Sequence, residues 1–282
     1  MDNLLYIIYE SNTPNGAAKW WSEAAAAAGY EARFLYADRM GVMALPTGEL
    51  LVTDGTAKIL PWPDAVLMRC YARHISLAFE RVGIPVYNRW RAMKLCRDKL
   101  MCVSALGAAG LPVPLTLEGT GASYQSLGRH LGKQFIVKPR EGSQGKGVEL
   151  VEVDGGLALK RDYIAQSYVG DRPGTDIRVW VLNGRAVEGV IRSNPGNIVS
   201  NFAAGGHPET LRGNARKEAF ALAERAAEVC GLFLAGVDIL YGPGEGSYTV
   251  CEVNGNAGFR TLPPARGKRL VKRVIEELTT EN

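Results

Sequence analysis

Ala235-Gly-Val-Asp-Ile-Leu-Tyr241 and Thr249-Val-Cys-Glu-Val-Asn254 decide how this chain is read. Both runs are short, apolar and β-branched, and Gly242-Pro-Gly-Glu-Gly246 breaks the chain between them, so the simplest arrangement is a pair of buried strands joined as a hairpin. Side chains alternate along a strand, which puts Glu252 and Asn254 on one face and Val253 on the other. Asp238 lies on the partner strand among apolar neighbours, and a carboxylate buried there needs a partner. Asp238, Glu252 and Asn254 together make a hard, all-oxygen set of the kind that suits Mg²⁺ shared with substrate phosphates. A satisfied polar cluster is the competing reading of these three residues taken alone.

Working outward, Leu4-Leu-Tyr-Ile-Ile-Tyr9 reads as a buried parallel strand. Thr13 is placed to cap a following helix with Pro14 at its first position, the helix running through Trp20 and Trp21 to Gly29. A strand near Ala32–Tyr36, a stretch without clear pattern to about residue 60, then Ala65–Met68, a helix over Ile75–Val82 and Ile84–Tyr87 complete a βαβ-like alternation. This α/β unit lacks the G-x-G-x-x-G of dinucleotide sites. One helix is predicted from Arg91 to Ala109. Strands are predicted over Phe135–Pro139, Val148–Val153, Ile164–Val169, Ile177–Leu182 and Ala186–Arg192, and helices over Arg216–Cys230 and the C-terminus.

The chain has 282 residues, 46% hydrophobic and 22% charged, which is ordinary for a globular protein with ample core. A net charge of +4 does not imply nucleic acid. The five cysteines are scattered without C-x-x-C spacing, so a reducing cytoplasm is expected and neither a disulfide framework nor a zinc motif is indicated. Three distant histidines build no metal motif, no G-x-S-x-G elbow is present, and neither a signal peptide nor a membrane span is expected.

Further candidates surround a triphosphate-sized problem. The loop Gly142-Ser-Gln-Gly-Lys-Gly147 follows a strand ending in Lys138; its glycines suit either backbone contact with phosphate or a plain turn. It is not a Walker A loop, because Arg140 stands where the first glycine belongs and Gly147 follows Lys146. Lys99 could join Lys138 in neutralising phosphate, or each could be a surface lysine. Asp176 and Arg178 share a face by period two, and Arg192, at the end of the next strand, could hold an oxyanion or a phosphoryl group, or form a surface ion pair.

Taken in order, these pieces resemble the ATP-grasp superfamily, in its RimK-like carboxylate–amine ligase branch, over roughly residues 65–260. The resemblance rests on Gly83–Asn88, Cys96-Arg-Asp-Lys99, Ala109–Pro112, the Val137–Val148 run, Gln166-Ser-Tyr168, Asp176-Ile-Arg178, Ser200-Asn201, Ala235–Asp238 and Glu252-Val-Asn254. It implies an α/β (α+β) ATP-grasp fold: an N-terminal pre-ATP-grasp domain (1–90), a central subdomain with the glycine-rich lid (91–165) and a C-terminal subdomain (166–282). It implies that Lys99 and Lys138 contact ATP phosphates, and that Gly142, Ser143, Gln144, Gly145 and Gly147 close over them. Gln166, Ser167, Tyr168 and Val169 would offer backbone groups to adenine, with Asp176 near ribose and phosphates. Asp238, Glu252 and Asn254 would hold two Mg²⁺, or Mn²⁺ in their place, and Arg192 and Asn201 would line the reacting space.

The reaction so implied is ADP-forming amide synthesis through an acyl phosphate, of the EC 6.3.2 type. It joins a small-molecule or peptide carboxylate (an amino acid, a peptide or a glutamate-tailed molecule) to an amine, with no nucleic-acid or membrane partner and with homo-oligomerisation left open. A peptide-tailoring ligase of natural-product biosynthesis, a non-catalytic ATP-binding module and a small-molecule kinase are the alternatives. Ser167 departs from the Glu common in the family's hinge, Val199 from an Arg before Ser-Asn, Lys146 from a small or apolar loop residue, and Gly255-Asn-Ala-Gly258 from Ser-Pro-Gly. The loop between Arg192 and Asn201 is about one residue short. Most of these departures bear on the substrates.

Overall fold

The apolar run at the N-terminus forms the strand its composition requires, β1 (Asn3–Tyr9), buried from Leu4 onward. The computed structural model describes residues 3–13, 16–142, 145–153, 156–194, 196–198, 200 and 207–280, with backbone alone at 207. After β1 come α1 (Ala17–Ala27), β2 (Tyr30–Tyr36), β3 (Met40–Ala44), β4 (Leu50–Asp54), β5 (Ala65–Arg69), α2 (Arg73–Arg81) and β6 (Val86–Tyr87). β2, β1, β5 and β6 form a parallel sheet in that order. The stretch that showed no pattern in sequence is the β3–β4 hairpin, closed by hydrogen bonds between Leu45 and the Gly48–Glu49 peptides. Thr13 does not cap α1. Its hydroxyl lies 3.3 Å from that of Tyr36, and Gly16 in a left-handed conformation precedes the helix instead; Pro14 lies outside the described residues.

The helix predicted over 91–109 is two helices, α3 (Trp90–Arg97) and α4 (Lys99–Ala108). Asp98 separates them. Its extended backbone ends α3, and its carboxylate caps α4 by accepting the Met101 N–H at 3.2 Å. The same carboxylate accepts Nε and Nη2 of Arg140. A capping residue that also holds an arginine from another element is worth more than continuity of one helix.

Beyond α4 follow β7 (Thr116–Glu118), α5 (Tyr124–Leu131), β8 (Gln134–Pro139), β9 (Glu149–Glu152) and β10 (Tyr163–Ser167). Their antiparallel sheet runs β7-β10-β8-β9, and its apolar face packs on α5 through Tyr124, Leu127, Leu131, Phe135, Val137 and Ala165. Then come β11 (Thr175–Leu182), β12 (Arg185–Ser193), β13 (His207–Thr210), α6 (Gly213–Cys230), β14 (Leu234–Tyr241), β15 (Tyr248–Asn254) and α7 (Pro264–Thr280). The second sheet runs β13-β12-β11-β14-β15, and β14 and β15 form the expected antiparallel hairpin.

Two units result. One holds residues 1–94, 232–234 and 263–282, and the other holds 95–231 and 235–262. In the first, α7 lies beside α1: Lys268 meets Glu23 at 3.0 Å, and Trp20 crosses Gly267. Asn88 is buried there with its amide spent on the backbone of Phe233 and Leu234. No described helix is long and apolar enough to cross a membrane.

Gly231 ends α6 at φ 67° and ψ 36°, and a Cβ there would meet nothing within 4 Å. Gly231→Ala therefore costs only the left-handed backbone, about 1–2 kcal/mol. Urea unfolding should show that loss, with a smaller one for Gly231→Asn.

Candidate active site

Four adjacent strands of the second sheet carry one line of charge. Register pairs Asp176 on β11 with Arg192 on β12, and Asp238 on β14 with Glu252 on β15. Arg178 lies two residues after Asp176 on the same face of β11. Arg192 grips Asp176 with two hydrogen bonds, the Nε bond at 2.7 Å, and donates from Nη2 to Asp238 at 2.9 Å. Arg178 also grips Asp238 with two, the Nη2 bond at 2.7 Å. Such paired forks are the strong form of the Arg–carboxylate contact.

The cleft these residues line is closed on its other side by residues of the β8–β10 sheet and its loops. Lys138, near the end of β8, is buried and faces the cleft. Lys99, the first residue of α4, donates to the Gly142 carbonyl at 3.0 Å and lies 3.9 Å from Glu252. It thus ties the base of the glycine loop to β15. Gly142 and Gly145 line the cleft, whereas Gly147 packs against Pro139 and the Tyr163 hydroxyl. Gln166, Ser167, Tyr168 and Val169 line the cleft too. The Gln166 amide is turned away to Thr116 at 2.7 Å. Past the end of β10, the backbone groups of Tyr168 and Val169 bond to no described residue. Ser143, Gln144 and Asn201 lie outside the described residues.

β15 carries a bulge. Asp238 pairs with Glu252 but Ile239 pairs with Val250, so Cys251 is the extra residue. It shifts the alternation: Val250 and Val253 are both buried, and Cys251, Glu252 and Asn254 all line the cleft. Gly236, opposite Asn254, admits Arg178 and Ala257, since a Cβ there would lie 3.1 Å from Arg178 Nη1 and 2.7 Å from Ala257 Cβ.

Burial pulls the Asp238 carboxyl upward, but Arg178 and Arg192 outweigh it and hold it below the ordinary carboxylate range. Burial pushes Asp176 up against the pull of Arg192, and the Asp238 charge adds to the rise. Burial likewise raises Glu252, opposed by Lys99, and lowers Lys99, opposed by Glu252.

The donor set fits a hard divalent cation. The Asn254 Nδ2 donates to Asp238 at 3.3 Å and to the Gly236 carbonyl at 3.4 Å, and its Oδ1 accepts from no described residue. Among the described residues Glu252 forms one ion pair, with Lys99 at 3.9 Å. Asp238 is different: its two oxygens already accept from Arg178, Arg192 and Asn254, which fills the lone pairs of a carboxylate. The sequence reading placed Arg178 on the Asp176 face without assigning it to the site, and did not place Cys251 and Arg172 there. The signal for Arg178 was its period-two spacing from Asp176; a bulge leaves no such signal for Cys251.

Residues 96–278 match the RimK-like ATP-grasp domain. A protein of Methanococcoides burtonii named "Probable alpha-L-glutamate ligase" is 31% identical over 222 residues, 73% of this chain and 71% of that one. Among solved structures, the ATP-grasp ligase PsnB complexed with minimal precursor superposes with a TM-score of 0.77 at 20% identity, over 100% of both chains. A RimK domain ATP-grasp protein of Sphaerobacter thermophilus does so at 0.73 and 19%, over 98% of this chain and 99% of that one. The chain belongs to the RimK-like ATP-grasp family. It is an ATP-dependent carboxylate–amine ligase of the ADP-forming kind.

Asp238→Asn leaves two buried guanidinium groups short of a counter-charge and should cost about 3–5 kcal/mol at neutral pH. Because the folded value of Asp238 lies below the ordinary 3.8, its contribution is fully present above that value and is lost as pH falls through the folded one. The stability gap between wild type and Asp238→Asn, followed by urea unfolding across the acid range, should therefore close only below the ordinary aspartate range.

Proposed function

We propose that this protein condenses the carboxylate of an amino acid, a peptide or a glutamate-tailed molecule with an amine, through an acyl phosphate, in the cleft between its two antiparallel sheets. The observation that carries this reading is the convergence of Lys99, Lys138, Arg178 and Arg192 with Glu252 and the outward Asn254 Oδ1 on one cleft. The 31% identity to a protein named as a glutamate ligase supports an amino-acid amine.

In this reading Lys138 and Lys99 take the triphosphate, and the glycine loop anchored on Lys99 through Gly142 covers it. The backbone of Tyr168 and Val169 meets the adenine edge, and Asp176 helps form the nucleotide site through Arg192. Glu252 and Asn254 hold Mg²⁺, two ions when ATP is bound, with Asp238 reaching them if Asn254 yields its place. When bound, Mg²⁺ supplies charge neutralisation across the transferring phosphoryl group. Arg192 spends Nε and Nη2 on Asp176 and Asp238, so Nη1 is the donor left for the acyl oxyanion. The acyl phosphate must be kept from water, which the loop does by closing.

Purified protein with Mg-ATP, pooled amino acids and candidate carboxylates, including acidic peptides, should release ADP together with a product lighter by one water than its parts, read by mass spectrometry. ADP with a phosphorylated product and no condensation would make it a kinase. Glu252→Gln should lose ADP formation while keeping its circular dichroism; undiminished turnover in that variant would remove Glu252 from the site.

A further inference from the structure

Cys96 near the end of α3, Cys102 in the second turn of α4 and Cys230, the last residue of α6, meet in the interior of the second unit. All three are buried, at 4%, 3% and 3% exposure, and their sulfurs lie within 4.8 Å of one another. We propose that Cys96, Cys102 and Cys230 form a buried three-thiolate site for one thiophilic d¹⁰ cation, of the Cd²⁺, Cu⁺ or Zn²⁺ class, apart from the Mg²⁺ site.

Spacing is the first argument. Metal–thiolate bonds of about 2.3 Å put sulfurs about 3.8 Å apart in a tetrahedral site and about 4.0 Å apart in a trigonal one. Cys102 and Cys230 are 3.9 Å apart. A disulfide needs about 2.05 Å, so bridging these two would draw α4 and α6 together. Each of the three ligands comes from a different helix, and a cation at their centre requires none of them to move far.

The second argument is the coordination number. Among the described residues no further His, Cys, Asp or Glu ligand atom joins the group. A three-sulfur, water-poor site suits soft cations that accept three ligands better than Zn²⁺, which prefers four. Each thiol that binds releases one proton to solvent.

Lys99 lies between Cys96 and Cys102, at the α3–α4 break. A cation would clamp that break from behind and so fix the helix end from which Lys99 reaches the cleft.

Reduced, metal-stripped protein should be titrated with Cd²⁺ under argon and followed by the ultraviolet thiolate-to-Cd²⁺ charge-transfer band. One equivalent with the intensity of three thiolates is expected, with release of three protons and a raised unfolding midpoint. Cys70→Ser/Cys251→Ser should keep the band. Cys102→Ala and Cys230→Ala, checked for fold by circular dichroism, should weaken Cd²⁺ binding more than tenfold. No band at stoichiometric Cd²⁺ in wild type, or a band that survives both alanine variants, overturns the proposal. None of these readouts depends on turnover, so they stand or fall apart from the ligase reading.

Discussion

Asp238 between Arg178 and Arg192 is the constraint on which the rest of the site depends. A buried carboxylate is tolerated only when its charge is met and its lone pairs are filled. Here both conditions draw on three strands at once, since Arg192 comes from β12, Arg178 from β11 and Asp238 from β14. A slip of one residue in either pairing would turn one member of the set to the far face, leaving its partners buried and unmatched. The ion line is therefore a register lock for the sheet as well as a charge store for the cleft.

Two local departures from regular strand geometry let that lock coexist with an open site. Gly236 gives Arg178 the room to lie flat across β14 on its way to Asp238. The bulge at Cys251 lets β15 keep Val250 and Val253 in the core while Glu252 and Asn254 stay on the cleft side. A strand of strict alternation would have put Val250 on the same face as Glu252. The apolar demand of the core and the polar demand of the cleft are reconciled by one extra residue.

Where local chemistry and burial agreed, the sequence was readable. β1 after Asn3, and β14 apart from Asp238, are apolar because both faces are covered, and the Gly-Pro-Gly break between β14 and β15 announced the hairpin. It was misread where a long-range partner decided the outcome. Asp98 looks like one more polar residue inside a helix until Arg140 arrives from β8, 42 residues away. Thr13 looks like a cap until Tyr36 takes its hydroxyl. β3 has no buried residue and β4 buries two adjacent ones, Val52 and Thr53, so the hairpin carries no strong alternation. Lys138, Glu252 and Asn254 were legible as cleft residues from strand ends and period two. Arg178 was visible on the right face, but its partner Asp238 sits 60 residues on and no local pattern joins them. The cysteines show the same limit in stronger form: Cys102 and Cys230 are 128 residues apart, and spacing rules for metal ligands see only neighbours in sequence.

The balance of charge in the cleft bears on how nucleotide and divalent ions would bind in the proposed reading. Lys99, Lys138, Lys146, Arg172, Arg178 and Arg192 line the cleft with Asp176, Asp238 and Glu252, six cations against three carboxylates, an excess of three. Arg178 and Arg192 are already committed to carboxylates, which leaves Lys99, Lys138, Lys146 and Arg172 as the cations of the lining that a triphosphate could meet. Glu252 on the same side would repel it. On the proposed reading, divalent cations held by Glu252 and Asn254 would reverse that repulsion, turning an acidic residue that burial already disfavours into an asset. Lys99 lies 3.9 Å from Glu252 and donates to the Gly142 carbonyl. On the proposed reading its release towards phosphate would free both Glu252 and the Gly142 end of the loop, so that one lysine would couple filling of the metal site to movement of the loop.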